Sequence, residues 1–149
     1  MTGHILLVED DISDEKLAVL AFSRCDNAPR VSVVRDGSEA LEFLFRTGAY
    51  AAGEAYSGLR VVLLDLALPR IGGLDVLRRI RADERTRLLP VVVLSASREE
   101  ADLVSSLSLG ANAYVRKPMD FSEFVTVART IASFWIGMNE PILGGRRPT

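Results

Sequence analysis

Five short apolar runs, set between longer amphipathic stretches, constrain this chain more than any other feature. They occupy residues 5–8, 31–34, 61–64, 91–94 and 113–115. Runs this short, apolar at consecutive positions, read as parallel strands buried on both faces. Helical spacing fills the gaps. Ser13 is placed to cap a first helix, with Asp14 and Glu15 where the dipole favours negative charge and Leu17, Leu20 and Ala21 as its stripe. Ser38 opens a second, with Leu41, Leu44 and Phe45 on one side. Leu74, Leu77 and Ile80 mark a third, and Leu103 and Leu107 a fourth that Gly110 can close. Phe121, Phe124, Val125, Ala128, Ile131, Ala132 and Trp135 mark the fifth. Strand followed by helix, five times over, predicts an α/β fold: a parallel sheet covered by helices on both faces, with right-handed crossovers.

Composition narrows the class. The chain has 149 residues, 48% hydrophobic and 26% charged. That suits one soluble globular domain, here expected over residues 1–136. A single cysteine, Cys25, excludes an internal disulfide, and a single histidine, His4, removes the usual zinc sets. The net charge of −2 gives no bulk attraction to nucleic acid or anionic membrane. No apolar run reaches the roughly 18 residues of a membrane span, and the N-terminus lacks the apolar length of a signal peptide. The expected location is the cytoplasm. Residues 47–60, with Gly48, Gly53, Gly58 and two tyrosines, read as a long connection. Residues 137–149 read as a tail that could contact a partner.

The informative residues stand at the carboxyl ends of the strands, where open parallel sheets bind ligands. The first strand runs into Glu9, Asp10 and Asp11, the third into Asp65, the fourth into Ser95 and the fifth into Lys117-Pro118. If strands one and three are neighbours, Glu9, Asp10 and Asp65 converge. Such carboxylates cannot all stay ionised without a counter-charge. A hard divalent cation such as Mg²⁺ supplies one, and a protonated structural cluster is the alternative. A carboxylate can attack phosphorus and become an acyl phosphate, with a cation and an ammonium neutralising the transferred charge. Asp65 stands alone and is the best nucleophile; the paired acids of the first strand are left to hold metal.

ILLVEDD at 5–11, VVLLDLALPRIGGLDVLRRIR at 61–81, PVVVLSAS at 90–97 and GANAYVRKP at 110–118 together resemble the receiver domain of the two-component response regulators. The resemblance implies a five-stranded, flavodoxin-like sheet of order 2-1-3-4-5. It makes Asp65 the phosphoacceptor, with Glu9, Asp10, Asp65 and the carbonyl of Ala67 around Mg²⁺. Lys117 becomes the cation on the phosphoryl oxygen. Ser95 becomes the hydroxyl that moves toward the phosphoryl group, and Tyr114 the aromatic that follows it inward. The Lys117–Pro118 bond is expected to be cis. Gly73 falls on the family's glycine after the acceptor loop. The implied function is that of a single-domain response regulator, charged by a sensor histidine kinase and signalling through protein partners. Residues 47–60 and the ending ASFWIGMNEP further resemble regulators that partner bacterial phytochrome kinases.

Three rivals share parts of this pattern. An Asp-nucleophile phosphatase usually carries two acids one residue apart after its first strand; here Asp65-Leu66-Ala67 follows the third. A flavin carrier needs a phosphate loop where this chain has acids. An unphosphorylated scaffold would not need Lys117 beside an acid pair. His4 sits at the wrong end of its strand for a phosphodonor, and a bland exposed or edge position is expected. Cys25 lies late in the first helix with no activating group nearby. Arg78, Arg79, Arg81, Arg85 and Arg87 alternate with Asp75, Asp83 and Glu84, so a solvated face is expected and direct DNA binding is not. Surplus apolar positions from Phe121 to Leu143 predict a homodimer through the fourth helix, fifth strand and fifth helix.

Overall fold

The computed structural model describes residues 3–51 and 58–141. The elements are β1 (His4–Val8), α1 (Ile12–Ser23), β2 (Arg30–Val34), α2 (Gly37–Phe45), β3 (Leu59–Leu64), α3 (Gly73–Ala82), β4 (Val91–Ser95), α4 (Glu100–Ser108), β5 (Ala113–Arg116) and α5 (Phe121–Ile131). All neighbouring strands are parallel, in the order β2-β1-β3-β4-β5. A 3-10 turn, Gly48–Tyr50, opens the connection before β3, and a π-helical turn, Ala132–Ile136, continues α5. Parts of that connection and of the expected tail, residues 52–57 and 142–149, lie outside the described residues.

The apolar runs are explained by two cores. Leu6, Val8, Val62, Leu64, Val91 and Val93 point to one face and pack with Leu41, Leu44, Val76, Leu77 and Ile80 of α2 and α3. Ile5, Leu7, Val61, Leu63, Val92 and Leu94 point to the other and pack with Ala18, Ala21 and Phe22 of α1 and Phe124, Ala128 and Ile131 of α5. Successive strand side chains alternate faces, so a strand covered on both faces must be apolar throughout.

Several local expectations are corrected. Asp11 caps α1 and Asp36 caps α2, each carboxylate accepting an amide three residues on, at 2.9 and 2.7 Å. Ser13 and Ser38 lie inside the helices, because a carboxylate just upstream already satisfies the free amide. Leu20 in α1 and Leu103 and Leu107 in α4 are exposed, whereas Ala18, Phe22 and Ser106 face inward. Spacing identifies a stripe but not which side of it meets the sheet. Cys25 lies just beyond α1 and is buried. His4 is buried, not exposed, since β1 is a central strand, and its Nε2 lies 2.7 Å from Ser32 Oγ. In the arginine run, Arg78 pairs with Asp75 and Arg85 with Asp83. Arg81 instead reaches the carbonyls of Leu89 and Gly110 at 2.7 and 2.9 Å, clamping α3 to the two loops beside it. Near the chain end, Arg60 donates to the Asn139 carbonyl at 2.8 Å, and Trp135 and Ile136 pack on the second core, so this segment folds back on its own domain through residue 139.

Candidate functional site

Strand register builds the site. Val8 pairs with Leu64, and the next amide, that of Asp65, donates to the Val8 carbonyl at 3.2 Å. Glu9 and Asp65 therefore emerge side by side at the carboxyl edge. On the other side Ser95 pairs with Arg116, and the Lys117 amide donates to the Ser95 carbonyl at 2.8 Å. Gly73 lets α3 start tight against this edge: a Cβ there would stand 2.4 Å from the Asp65 carbonyl oxygen.

Lys117 is the hub. Its Nζ lies 2.8 Å from Glu9 Oε1, 2.8 Å from Asp14 Oδ2 and 3.2 Å from Asp65 Oδ2, with the lysine side chain 11% exposed. Burial alone would lower its pKa, but hydrogen bonds to Asp14 and Glu9 and the charges of Asp65 and Glu9 outweigh it and hold the ammonium above its ordinary range. Burial pushes the Glu9 carboxyl up to about 7, opposed by the hydrogen bonds from Lys117 and the Asp11 amide and reinforced by the charge of Asp65. One ammonium thus faces an excess of carboxylates.

Glu9, Asp10 and Asp65 each offer an oxygen, and these oxygens lie within 4.8 Å of one another. Asp10 is exposed while the other two are buried, so the cluster opens to solvent on one side. All-oxygen donors with surplus negative charge fit a hard divalent cation. The Ala67 amide donates to Asp65 Oδ1 at 3.3 Å, and Ala67 itself is exposed at the rim. Ser95 is buried, its Oγ accepting from the Ser97 amide at 3.1 Å. Tyr114 is half-buried beyond it, its hydroxyl donating to the Ser97 carbonyl at 3.2 Å. A cavity of about 590 Å³ is lined by Asp65, Ala67, Gly73, Ser95 and Lys117 among others.

The structure brings Glu9, Asp10, Asp65, Ser95 and Lys117 to one edge, with Tyr114 one residue removed. It corrects the expected cis bond: no cis peptide occurs among the described residues, so Lys117–Pro118 is trans. Trans is favoured at X–Pro by about 0.5–1 kcal/mol, and Lys117 reaches all three carboxylates with that isomer. Asp14 is the group that sequence reasoning missed. Its place in the first turn of α1 is explained by the helix dipole, and that explanation hid its bond to Lys117. Ser97 and Asp102 were missed as well, and only the stretch SAS at 95–97 hinted that the loop after β4 carries more than one hydroxyl.

A sequence model of the response regulator receiver domain matches residues 5–129. The regulatory protein FilR2 of Methanothrix harundinacea is 38% identical over 91% of this chain and 84% of its own length. Response regulator Rcp1 of Synechocystis is 36% identical over 89% of this chain and 88% of its own. Among solved structures, the phosphorylated cyanobacterial phytochrome response regulator RcpA superposes with a TM-score of 0.86 at 35% identity, covering 95% of this chain and 99% of that one. The Mn²⁺-bound form of Rcp1 gives 0.82 at 31% identity, over 94% and 99% of the two chains. The bacteriophytochrome response regulator RtBRR gives 0.75 at 45% identity, over 97% and 87%. No helix among the described residues is long and apolar enough to cross a membrane. With the fold, the strand-end acids and the lysine agreeing with these matches, the chain belongs to the response regulator receiver family and is homologous to phytochrome response regulators.

Proposed function

We propose that this chain accepts a phosphoryl group on Asp65 from a histidine kinase, with Mg²⁺ bound, and signals through protein partners. One observation carries the reading: Lys117 Nζ stands 3.2 Å from Asp65 Oδ2 beside the carboxylates of Glu9 and Asp10. An Asp65 carboxylate oxygen attacks the phosphorus of the donor phosphohistidine. The P–N bond breaks, the imidazole leaves and takes up a proton, and Asp65 becomes an acyl phosphate. Lys117 holds one phosphoryl oxygen, and Glu9, Asp10, Asp65 and the Ala67 carbonyl would hold the Mg²⁺. When bound, the cation neutralises charge on the transferred group. Binding of Mn²⁺ by Rcp1 supports a divalent ion at this site.

Ser95 then turns toward the phosphoryl group and Tyr114 fills the space it leaves, altering the face formed by α4 and β5. The relatives named as phytochrome regulators support a bacteriophytochrome kinase as donor. The protein works in the cytoplasm, binds no DNA directly, and reacts once per activation rather than turning over. It pairs through α4, β5 and α5; Leu103, Val104 and Leu107 of α4, and Phe134 and Met138 after α5, are exposed apolar side chains that supply such a face.

The test is labelling with a small phosphodonor and Mg²⁺. Labelling of the parent, its loss in Asp65→Asn and its loss on chelation with EDTA are expected. A label that survives Asp65→Asn overturns the acceptor, and one that survives EDTA overturns the metal.

A further inference from the structure

Ser97, two residues beyond Ser95, is held at three points. Its amide donates to Ser95 Oγ at 3.1 Å. Its hydroxyl donates to Asp102 Oδ2 at 2.5 Å and accepts from the Glu99 amide at 3.2 Å. Its carbonyl accepts from the Tyr114 hydroxyl at 3.2 Å. One residue therefore touches both groups of the switch and the first turn of α4.

The hydroxyl–carboxylate bond is the strong member of this set, because a charged acceptor roughly doubles the strength of a hydrogen bond. Little else anchors α4 at its start. Its N-cap, Glu99, makes no side-chain capping bond, and its one buried residue is Ser106. Ser97 and Asp102 also line the cavity that holds Asp65, Ser95 and Lys117.

We infer that Ser97 and Asp102 form a latch that holds the β4–α4 loop and Tyr114 in their resting arrangement, and that a phosphoryl group on Asp65 opens it. The inference rests on Asp65 being the acceptor. Two effects act in the same direction. The phosphoryl group brings negative charge into a cavity that the Asp102 carboxylate lines, and like charges there repel. Turning the Ser95 hydroxyl toward that group removes the acceptor of the Ser97 amide. Both loosen Ser97, and with it the carbonyl that holds Tyr114. Ser97 and Asp102 are positioning residues acting through Ser95 and Tyr114.

Hydrogen exchange on the full chain tests this, comparing the parent with Ser97→Ala, Asp102→Asn and Asp102→Glu, each with and without acetyl phosphate and Mg²⁺. Before phosphorylation, amides of residues 97–104 should exchange about tenfold faster in Asp102→Asn and Ser97→Ala than in the parent. Asp102→Glu, which keeps the charged acceptor, should return most of the protection. Acetyl phosphate should then loosen this segment in the parent and add little in Asp102→Asn. Intact mass on the same samples reports whether a phosphoryl group is attached. A parent that gains no phosphoryl mass overturns the acceptor reading. A parent that gains it, while both latch variants start at the parent's protection and respond equally, overturns the latch alone.

Discussion

β1 buries all five of its residues and β3 its last four, whereas none of the four residues of β5 is buried and α4 buries only Ser106. Two of the groups that would do chemistry, Glu9 and Asp65, directly follow the densely packed β1 and β3, and Lys117, although it follows β5, is buried against their carboxylates. Tyr114 and the loop carrying Ser97 stand on the thinly packed side. Chemistry needs carboxylates and ammonium held in a fixed geometry, which a packed core provides at no further entropic cost. A switch needs an element whose two arrangements differ little in energy, and a helix that buries few apolar side chains is such an element. Ser106 sharpens the contrast, because its buried hydroxyl has no hydrogen-bond partner among the described residues.

The largest effect should come from the carboxylate cluster at the ends of β1 and β3. Lys117→Met removes the ammonium that faces three carboxylates, and phosphorylation by a small donor should slow by about 10³-fold. Pre-steady-state labelling of Asp65 measures it, and an unchanged rate would show that the hub stabilises the fold without assisting transfer. Next, Ile80→Ala in α3 empties a fully buried site and should cost about 3 kcal/mol in urea unfolding. Leu107→Ala in α4, at a position 47% exposed, should stay within about 0.5 kcal/mol. Equal losses would erase the distinction between the two helices.

Smaller than the Ile80 loss, Ser106→Ala should raise stability by about 1 kcal/mol, since it deletes a buried hydroxyl that gains nothing in return. A loss of similar size would mean that the hydroxyl is satisfied in solution. The smallest effect is kinetic. Ala67 leaves the rim of the site open, and a longer side chain there obstructs the in-line approach of water. Ala67→Met should lengthen the lifetime of phosphorylated Asp65 by about threefold, read as decay of the label after donor removal. Equal decay rates would place the water's path elsewhere.

Much of this is legible in the sequence. The five apolar runs specify buried parallel strands because only apolar residues survive with both faces covered. The acids and the lysine at their ends then had to share an edge once those strands lay side by side. Strand order was another matter: periodicity is silent on it, and resemblance to the receiver family supplied it. The stripe of α4 was visible as Leu103 and Leu107, yet these residues face outward while Ser106 faces in.

By itself, then, the sequence determined the alternation of strands and helices and the chemical character of the strand ends, because both depend on neighbours a few positions apart. Tertiary structure alone decided which groups meet. Asp14 and Lys117 are 103 positions apart and bond at 2.8 Å because the first turn of α1 and the residue after β5 both lie at the carboxyl edge of the sheet, where the long lysine side chain spans the gap. His4 is buried because β1 became a central strand, and Ser97 reaches Tyr114 because β4 and β5 are paired in register. Contacts of this kind depend on strand order, register and helix rotation, and local patterning fixes none of the three.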